Sequence, residues 1–256
     1  MSKPIEVRNP RTGKFDYVIV PPPPKLLSQQ CHRLRRGQTI WQKLAIEERI
    51  AALKAWKQAI LSDRTQLTEA LVSDTGRLST SVLEIDSFLA NIDKWCNIVP
   101  QLLQNTAKNT SIPFISLQQT AVPYGLVGII SPWNFPLSLS TVDTIPALLA
   151  GCAVIVKPSE ITPRFVAPLM MTLNTIPQLR DVLNFVEGAG QTGAALIEDV
   201  DLICFTGSLE TGRLVAENAA INFIPAFLEL GGKDPAIVLE SADLDLATSA
   251  ILYASV

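Results

Sequence analysis

Between residues 126 and 228 short runs of β-prone apolar residues alternate with stretches of helical spacing, and no other feature restricts the fold so tightly. The runs at 126–130, 153–157, 182–186, 202–205 and 224–228 are apolar at nearly every position, with helical stretches at 137–150, 164–173, 192–197 and 210–220 between them. A strand that is apolar on both sides must be covered on both sides, and parallel neighbours need a crossover long enough to hold a helix. The reading is α/β: a doubly wound, Rossmann-like parallel sheet with helices on both faces. Such sheets bind ligands at the carboxyl ends of their strands, so the residues just past each run are the candidate site.

After the first run come Ser131, Pro132, Trp133, Asn134, Phe135 and Pro136, a loop stiffened by its prolines that sets an amide side chain at the ligand edge. After the second come Lys157, Pro158, Ser159 and Glu160. An acid just past the second strand of a dinucleotide fold can hold both hydroxyls of a ribose, and Lys157 can reach the same hydroxyls or a phosphate. After the third, Gly188 to Gly193 spell GxGxxG, a pattern that normally follows the first strand. Here it is expected to form a close-approach turn near the adenine end. After the fourth, Phe205, Thr206, Gly207 and Ser208 open a helix whose free N–H groups suit a pyrophosphate, with Gly212 letting the backbone come close. After the fifth, Glu229 stands between Leu228 and Leu230 beside Gly231 and Gly232, a desolvated setting suited to a general base. Taken singly, each also has a purely structural meaning, as helix-start turn, first-turn acid, helix cap or strand-end charge.

Upstream, residues 5–7 and 17–20 read as short strands around a turn at Asn9 to Gly13, and Pro21 to Pro24 read as a stiff extended spacer. From 38 to 71, Trp41, Leu44, Ile50, Leu53, Trp56, Ile60, Leu67 and Leu71 recur at three- and four-residue steps, predicting one amphipathic helix closed by a left-handed turn at Gly76. A second long helix, marked by Val82 to Val99, is predicted to stop at Pro100. Residues 106–123 are polar, β-prone and without helical period, which predicts a strand or hairpin arm.

Composition removes several functions. A net charge of −3, with only Arg33, Arg35 and Arg36 clustered, gives no footprint for a nucleic-acid backbone. The polar start at residues 1–10 is no secretory signal, and the most apolar region, 121–156, is broken by Pro123, Pro132, Pro136, Asp143 and Pro146, so no membrane span is expected. A cytoplasmic protein follows as the default. Cys31, Cys96, Cys152 and Cys204 form no CxxC pair, so reduced thiols and no metal site are expected. His32, the single histidine, lies among arginines with no acid beside it, which leaves a Ser-His-Asp mechanism without a base.

The segments PWNFP at 132–136, KPSE at 157–160, FTGS at 205–208 and LELGGK at 228–233, in this order and spacing, resemble the aldehyde dehydrogenase superfamily. The likeness runs from the DTGR at 74–77 to the chain end, and the first seventy or so residues fit loosely, in helix pattern and in the NPRTG turn. It implies that Asn134 donates its amide hydrogens to the oxyanion formed when a thiolate attacks an aldehyde, and that Glu229 activates the water that hydrolyses the resulting thioester. It implies too that Ile130, Ser131 and Trp133 wall the cofactor cleft, that Lys157, Ser159 and Glu160 hold the adenosine ribose, and that Gly190 and Gly193 lie at the adenine end. Phe205, Thr206, Gly207 and Ser208 would lie by the pyrophosphate, and Leu230 and Gly231 near the nicotinamide. Glu160 favours NAD, because a 2′-phosphate would meet a like charge, although the family includes enzymes that take NADP as well.

The resemblance also implies a small-molecule aldehyde as substrate, a homo-oligomer, and use of the 106–123 segment as an oligomerisation arm. Residues 1–234 would be the NAD(P)-binding domain, interrupted by that arm, and 235–256 the start of a catalytic domain. The family's nucleophilic cysteine lies beyond the LELGG motif and is not among these residues. Cys152 and Cys204 are expected to be inert core thiols, so the chain alone is expected not to oxidise aldehydes. Asp243 or Ser241 is expected to cap a helix whose apolar residues are still running at Val256. Two alternatives stay open: a non-catalytic nucleotide-binding or assembly module or decayed gene product, and a reductase of acyl phosphates or acyl-CoA thioesters, against which Glu229 speaks.

Overall fold

The computed structural model describes residues 3–104, 106–112 and 114–255, so Pro113 of the predicted arm and the first two residues of the polar start lie outside the described residues. β1 (Ile5–Arg8) and β2 (Phe15–Ile19) form an antiparallel hairpin across the predicted turn, where Gly13 takes a left-handed φ of 73°. The predicted helix at 38–71 is instead three. α1 (Pro24–Trp41) begins inside the stretch read as a spacer and buries Leu27, Cys31, Leu34, Gln38 and Trp41 at helical steps. Proline is tolerated there because a first-turn N–H has no intrahelical partner to lose.

α2 (Ile46–Ser62) starts afresh because Ala45 is extended and its N–H is taken by the Glu48 carboxylate at 2.8 Å. α3 (Arg64–Thr75) follows a break at Asp63 and ends, as predicted, with Gly76 left-handed at φ 73°. α4 (Leu78–Leu102) passes through Pro100 rather than stopping at it. The proline forfeits only its own donor, and the Leu103 N–H still closes the last turn on Val99 at 3.1 Å. β3 (Thr106–Asn109) and β4 (Ser116–Gln119) then form the predicted hairpin, carrying the exposed Phe114, Ile115 and Leu117.

Next come β5 (Leu126–Ile130), α5 (Pro136–Thr141), α6 (Thr144–Ala150), β6 (Ala153–Lys157), α7 (Val166–Asn174), α8 (Pro177–Arg180) and β7 (Leu183–Phe185). α9 (Gly190–Ile197), β8 (Leu202–Gly207), α10 (Leu209–Ile221), β9 (Ala226–Leu230) and α11 (Leu244–Ser255) complete the order. The predicted helix at 137–150 is two, separated at Val142 and Asp143. β8 and β9 each run two residues past their predicted ends, so Thr206, Gly207, Glu229 and Leu230 stand on strands rather than after them.

The five strands are all parallel, in the order β7-β6-β5-β8-β9. From β5 the chain steps outward to β6 and β7, then returns to lay β8 against the other side of β5. Right-handed crossovers in opposite directions put their helices on opposite faces, which is the doubly wound arrangement. The reversal between β5 and β8 leaves a crevice at their carboxyl ends.

The N-terminal helices are fastened to this sheet unit by buried tryptophans. Trp41 donates its ring N–H to the Leu148 carbonyl at 2.8 Å. Trp56 donates to the Thr172 hydroxyl at 2.9 Å and packs edge-on against Phe88, ring centres 5.4 Å apart. Arg164 adds an ionic fastening, pairing with Asp16 of β2 and Asp74 of α3. Burial pushes the Asp74 carboxyl up to about 6, opposed by the Arg164 hydrogen bonds and charge. Among the described residues no helix is long and apolar enough to cross a membrane.

Candidate active site

The ends of β5, β6, β8 and β9 and the first turn of α9 open on one cleft of about 1170 Å³. Pockets for drug-sized ligands run to roughly 300–1,000 Å³, so this one has room for a dinucleotide. Most of the sequence-predicted site residues lie on its lining: Ile130, Ser131, Trp133 and Asn134 from the β5 end, Lys157, Ser159 and Glu160 from the β6 end, Gly190 and Gly193 from α9, Phe205, Thr206, Gly207 and Ser208 from the β8 end, and Glu229, Leu230 and Gly231 from the β9 end; Gly212 does not.

In the β5 loop, Ser131 is buried and its hydroxyl meets that of Ser140 at 2.6 Å. Trp133 and Asn134 are exposed to the cleft. The Asn134 carbonyl accepts from Arg77, while its side-chain amide makes no hydrogen bond among the described residues and keeps its donors free. Pre-set donors at the edge of a cleft are what an oxyanion requires.

At the β6 end the Lys157 side chain is 5% exposed and its ammonium reaches the Glu160 carboxylate at 3.2 Å. Burial lowers the lysine pKa and the Glu160 charge partly restores it. A half-exposed carboxylate with one buried cation behind it presents hydrogen-bond acceptors to the cleft, the chemistry a vicinal diol needs. The Ser159 hydroxyl is turned to the Ile161 N–H at 3.2 Å.

A Cβ on Gly190 would meet nothing within 4 Å, and one on Gly193 would come within 3.3 Å of Ile130, so both leave the cleft wall low. Ser208 caps α10, accepting from the Thr211 N–H at 3.2 Å, so its structural meaning and its place on the cleft coincide. Gly212 departs from its expected role. A Cβ there would strike Leu230 at 2.4 Å, so the close approach it permits is of α10 to β9, not of the backbone to a phosphate.

Glu229 also departs from its expected setting. It is exposed, so the apolar neighbours in sequence do not desolvate it; they alternate to the other face of the strand. A further partly buried acid on the cleft lining is Asp143, whose pKa is raised by burial first and by the Glu229 charge second. Sequence reading passed over Asp143, as it did the apolar wall of Ala194, Ile197, Leu214 and Val215, which is set by helix faces of α9 and α10 rather than by any strand-end motif.

All four cysteines are buried. Burial pushes Cys31 and Cys204 up to about 12 and Cys152 up to about 11, and raises Cys96. None presents a thiolate near neutral pH. Among the described residues no cluster of three or more His, Cys, Asp or Glu is placed to hold a metal ion.

The cleft lies at the switch point of a doubly wound parallel sheet, where α/β folds of this class bind their ligands, with glycines, a buried lysine and a carboxylate on its lining. The sequence profile of the aldehyde dehydrogenase family matches residues 1–256, and the chain belongs to that family. It is 42% identical over 238 residues to a 4,4'-diapolycopene aldehyde oxidase of Methylomonas sp, covering 90% of this chain and 44% of the relative. Among solved structures, that of the putative aldehyde dehydrogenase PutA from Anabaena variabilis shares 75% identity at a TM-score of 0.96, over 98% of this chain and 54% of the other. Betaine aldehyde dehydrogenase from Staphylococcus aureus, in complex with NAD+, shares 28% identity at a TM-score of 0.91, over 98% and 51%. The chain thus spans about half the length of the relatives it matches.

Proposed function

We propose that this chain is the cofactor-binding portion of an NAD(P)-dependent aldehyde dehydrogenase that converts an aldehyde to a carboxylate through a cysteine thioester. The observation that carries the reading is the convergence of five separate segments of chain on one cleft large enough for a dinucleotide. Lys157, Ser159 and Glu160 would hold the adenosine ribose. Ala194, Ile197, Leu214 and Val215 offer apolar walls for an adenine. The capped N-terminus of α10 at Ser208 would face the pyrophosphate, and Leu230 and Gly231 the nicotinamide, which when bound accepts the hydride. Asn134 would donate to the oxyanion, and Glu229 would take the proton of the hydrolytic water; its exposure leaves it free to reach that water.

The thiolate this reaction needs is not among residues 1–256, whose cysteines are all buried. Residues 1–234 are read as the NAD(P)-binding domain with 106–123 as an arm that pairs with a second copy, and 235–256 as the opening of the catalytic domain. The relatives include a putative NADP-dependent succinate-semialdehyde dehydrogenase of Mycolicibacterium smegmatis, 35% identical over 223 residues, so NADP stands beside NAD as a candidate cofactor.

A calorimetric titration with NAD+ tests the ribose assignment. Glu160→Gln removes a charged acceptor, and hydrogen bonds to charged groups contribute about 1.5–3 kcal/mol when shielded from water. Because Glu160 is half-exposed, the expected loss is at the low end, a roughly tenfold rise in Kd. Equal affinity in the two proteins would remove the assignment.

A further inference from the structure

The loop that carries Asn134 and the helix after it are gripped by the side chains of Arg77, at the N-cap of α4, and Glu84, within α4. We propose that Arg77 and Glu84 are positioning residues for Asn134, holding its amide at the cleft edge through the backbone of residues 134–138; the proposal rests on the oxyanion role assigned above.

Arg77 stands at the start of α4, donates to the Asn134 carbonyl, and lays its guanidinium over the Phe135 ring, 5.1 Å from the centroid. Seven residues on, inside α4, Glu84 accepts from the N–H groups of Leu137 at 3.0 Å and Ser138 at 3.1 Å. These are first-turn donors of α5, and the residue at its cap position, Phe135, has no side-chain oxygen to offer them. The two contacts hold the segment at both ends: at the carbonyl of Asn134 itself and three to four residues later, in the first turn of α5.

The arrangement is costly for a mere helix cap. Glu84 is 2% exposed, and its second oxygen, Oε1, has no hydrogen-bond partner. Burial raises its pKa, while the Ser138 and Leu137 N–H groups and the Arg77 charge oppose the rise. A serine or aspartate at position 135 would cap α5 locally without burying an acid. What the remote acid adds is a rigid link between α4 and the loop, so that Asn134 cannot shift without breaking buried hydrogen bonds. The 131–135 loop is tied on its other side by the Thr162 hydroxyl, which donates to the Trp133 carbonyl at 3.1 Å, and the α4 grip adds the contact at Asn134 itself, where transition-state contacts demand close tolerance.

The test uses a protein that carries this chain together with the family's nucleophilic cysteine, and compares Glu84→Ala, Glu84→Gln and Arg77→Met. In Glu84→Ala, amide exchange at Leu137 and Ser138 is expected to accelerate at least about tenfold, and kcat to fall about tenfold to fiftyfold with KM for NAD+ within about twofold. Glu84→Gln keeps an acceptor oxygen and is expected to stay within about threefold of wild type on both readouts. Unchanged exchange and kcat in Glu84→Ala, indistinguishable Ala and Gln variants, or a KM for NAD+ that rises in step with the loss of kcat would overturn the proposal. Should Glu84→Ala not fold, Arg77→Met decides: a similar loss of kcat at unchanged KM supports the grip, and wild-type kcat refutes it. A wild-type protein that oxidises no aldehyde would sink the functional reading instead, while exchange at Leu137 and Ser138 would still decide whether the grip exists.

Discussion

Asn134→Ala is expected to cut kcat by about 10²–10³-fold in a protein that joins this chain to the nucleophilic cysteine, with KM for NAD+ nearly unchanged. The size follows from what the amide does. Its donors have no partner among the described residues and, in the proposed role, would gain one when a carbonyl oxygen becomes an oxyanion, so the contact would favour the transition state over the ground state. Trp133 and Pro132 remain to wall the cleft, which is why cofactor binding survives. Asn134→Asp is expected to be at least as damaging, because it replaces donors by a negative charge. A kcat within threefold of wild type in the alanine variant would remove Asn134 from the chemistry.

The second large effect is on stability. Trp56→Ala is expected to destabilise the fold by about 3–5 kcal/mol in urea titration, the range for truncating a buried aromatic. Trp56 is fully buried where α2 meets α4 and α7. Its loss opens a cavity, removes the edge-on contact with Phe88 and leaves the Thr172 hydroxyl without its donor. The helical layer and the sheet unit then lose a shared anchor. Trp56→Phe keeps most of the volume and gives up the hydrogen bond, and is expected to lose under half as much. A loss below 1 kcal/mol in Trp56→Ala would mean that the two layers are held elsewhere.

Much of this was legible before any coordinates, for a physical reason. Strands buried on both faces leave an unmistakable apolar signature, and the strand ends are where a doubly wound sheet must place its ligand. That is why Lys157, Glu160, Ser208 and Glu229, dispersed over seventy residues of sequence, could be placed on one edge. What was not legible depends on contacts between distant residues. The period of α1 is carried by Leu27, Cys31, Leu34, Gln38 and Trp41, two of them polar or small, so the helix was hidden behind its prolines. Gly37 shows the same limit: a Cβ there would lie 2.1 Å from the Asp181 carbonyl, a backbone approach that no local pattern encodes. The exposure of Glu229 misled for a simpler reason. Apolar neighbours in a strand point away from the residue between them, so they could not bury it. Asp143 reaches the cleft, and Arg77 and Glu84 reach the backbone of residues 134–138, through tertiary contact.

One titration bears most directly on the claim that these strand tips form a single dinucleotide cleft. Calorimetry of the folded protein with NAD+ is expected to give one site per chain, competed by ADP-ribose and lost in Gly193→Trp, whose ring would project between α9 and Ile130. Saturable NAD+ binding that survives Gly193→Trp unchanged, or none at millimolar NAD+ in protein shown to be folded, would contradict it.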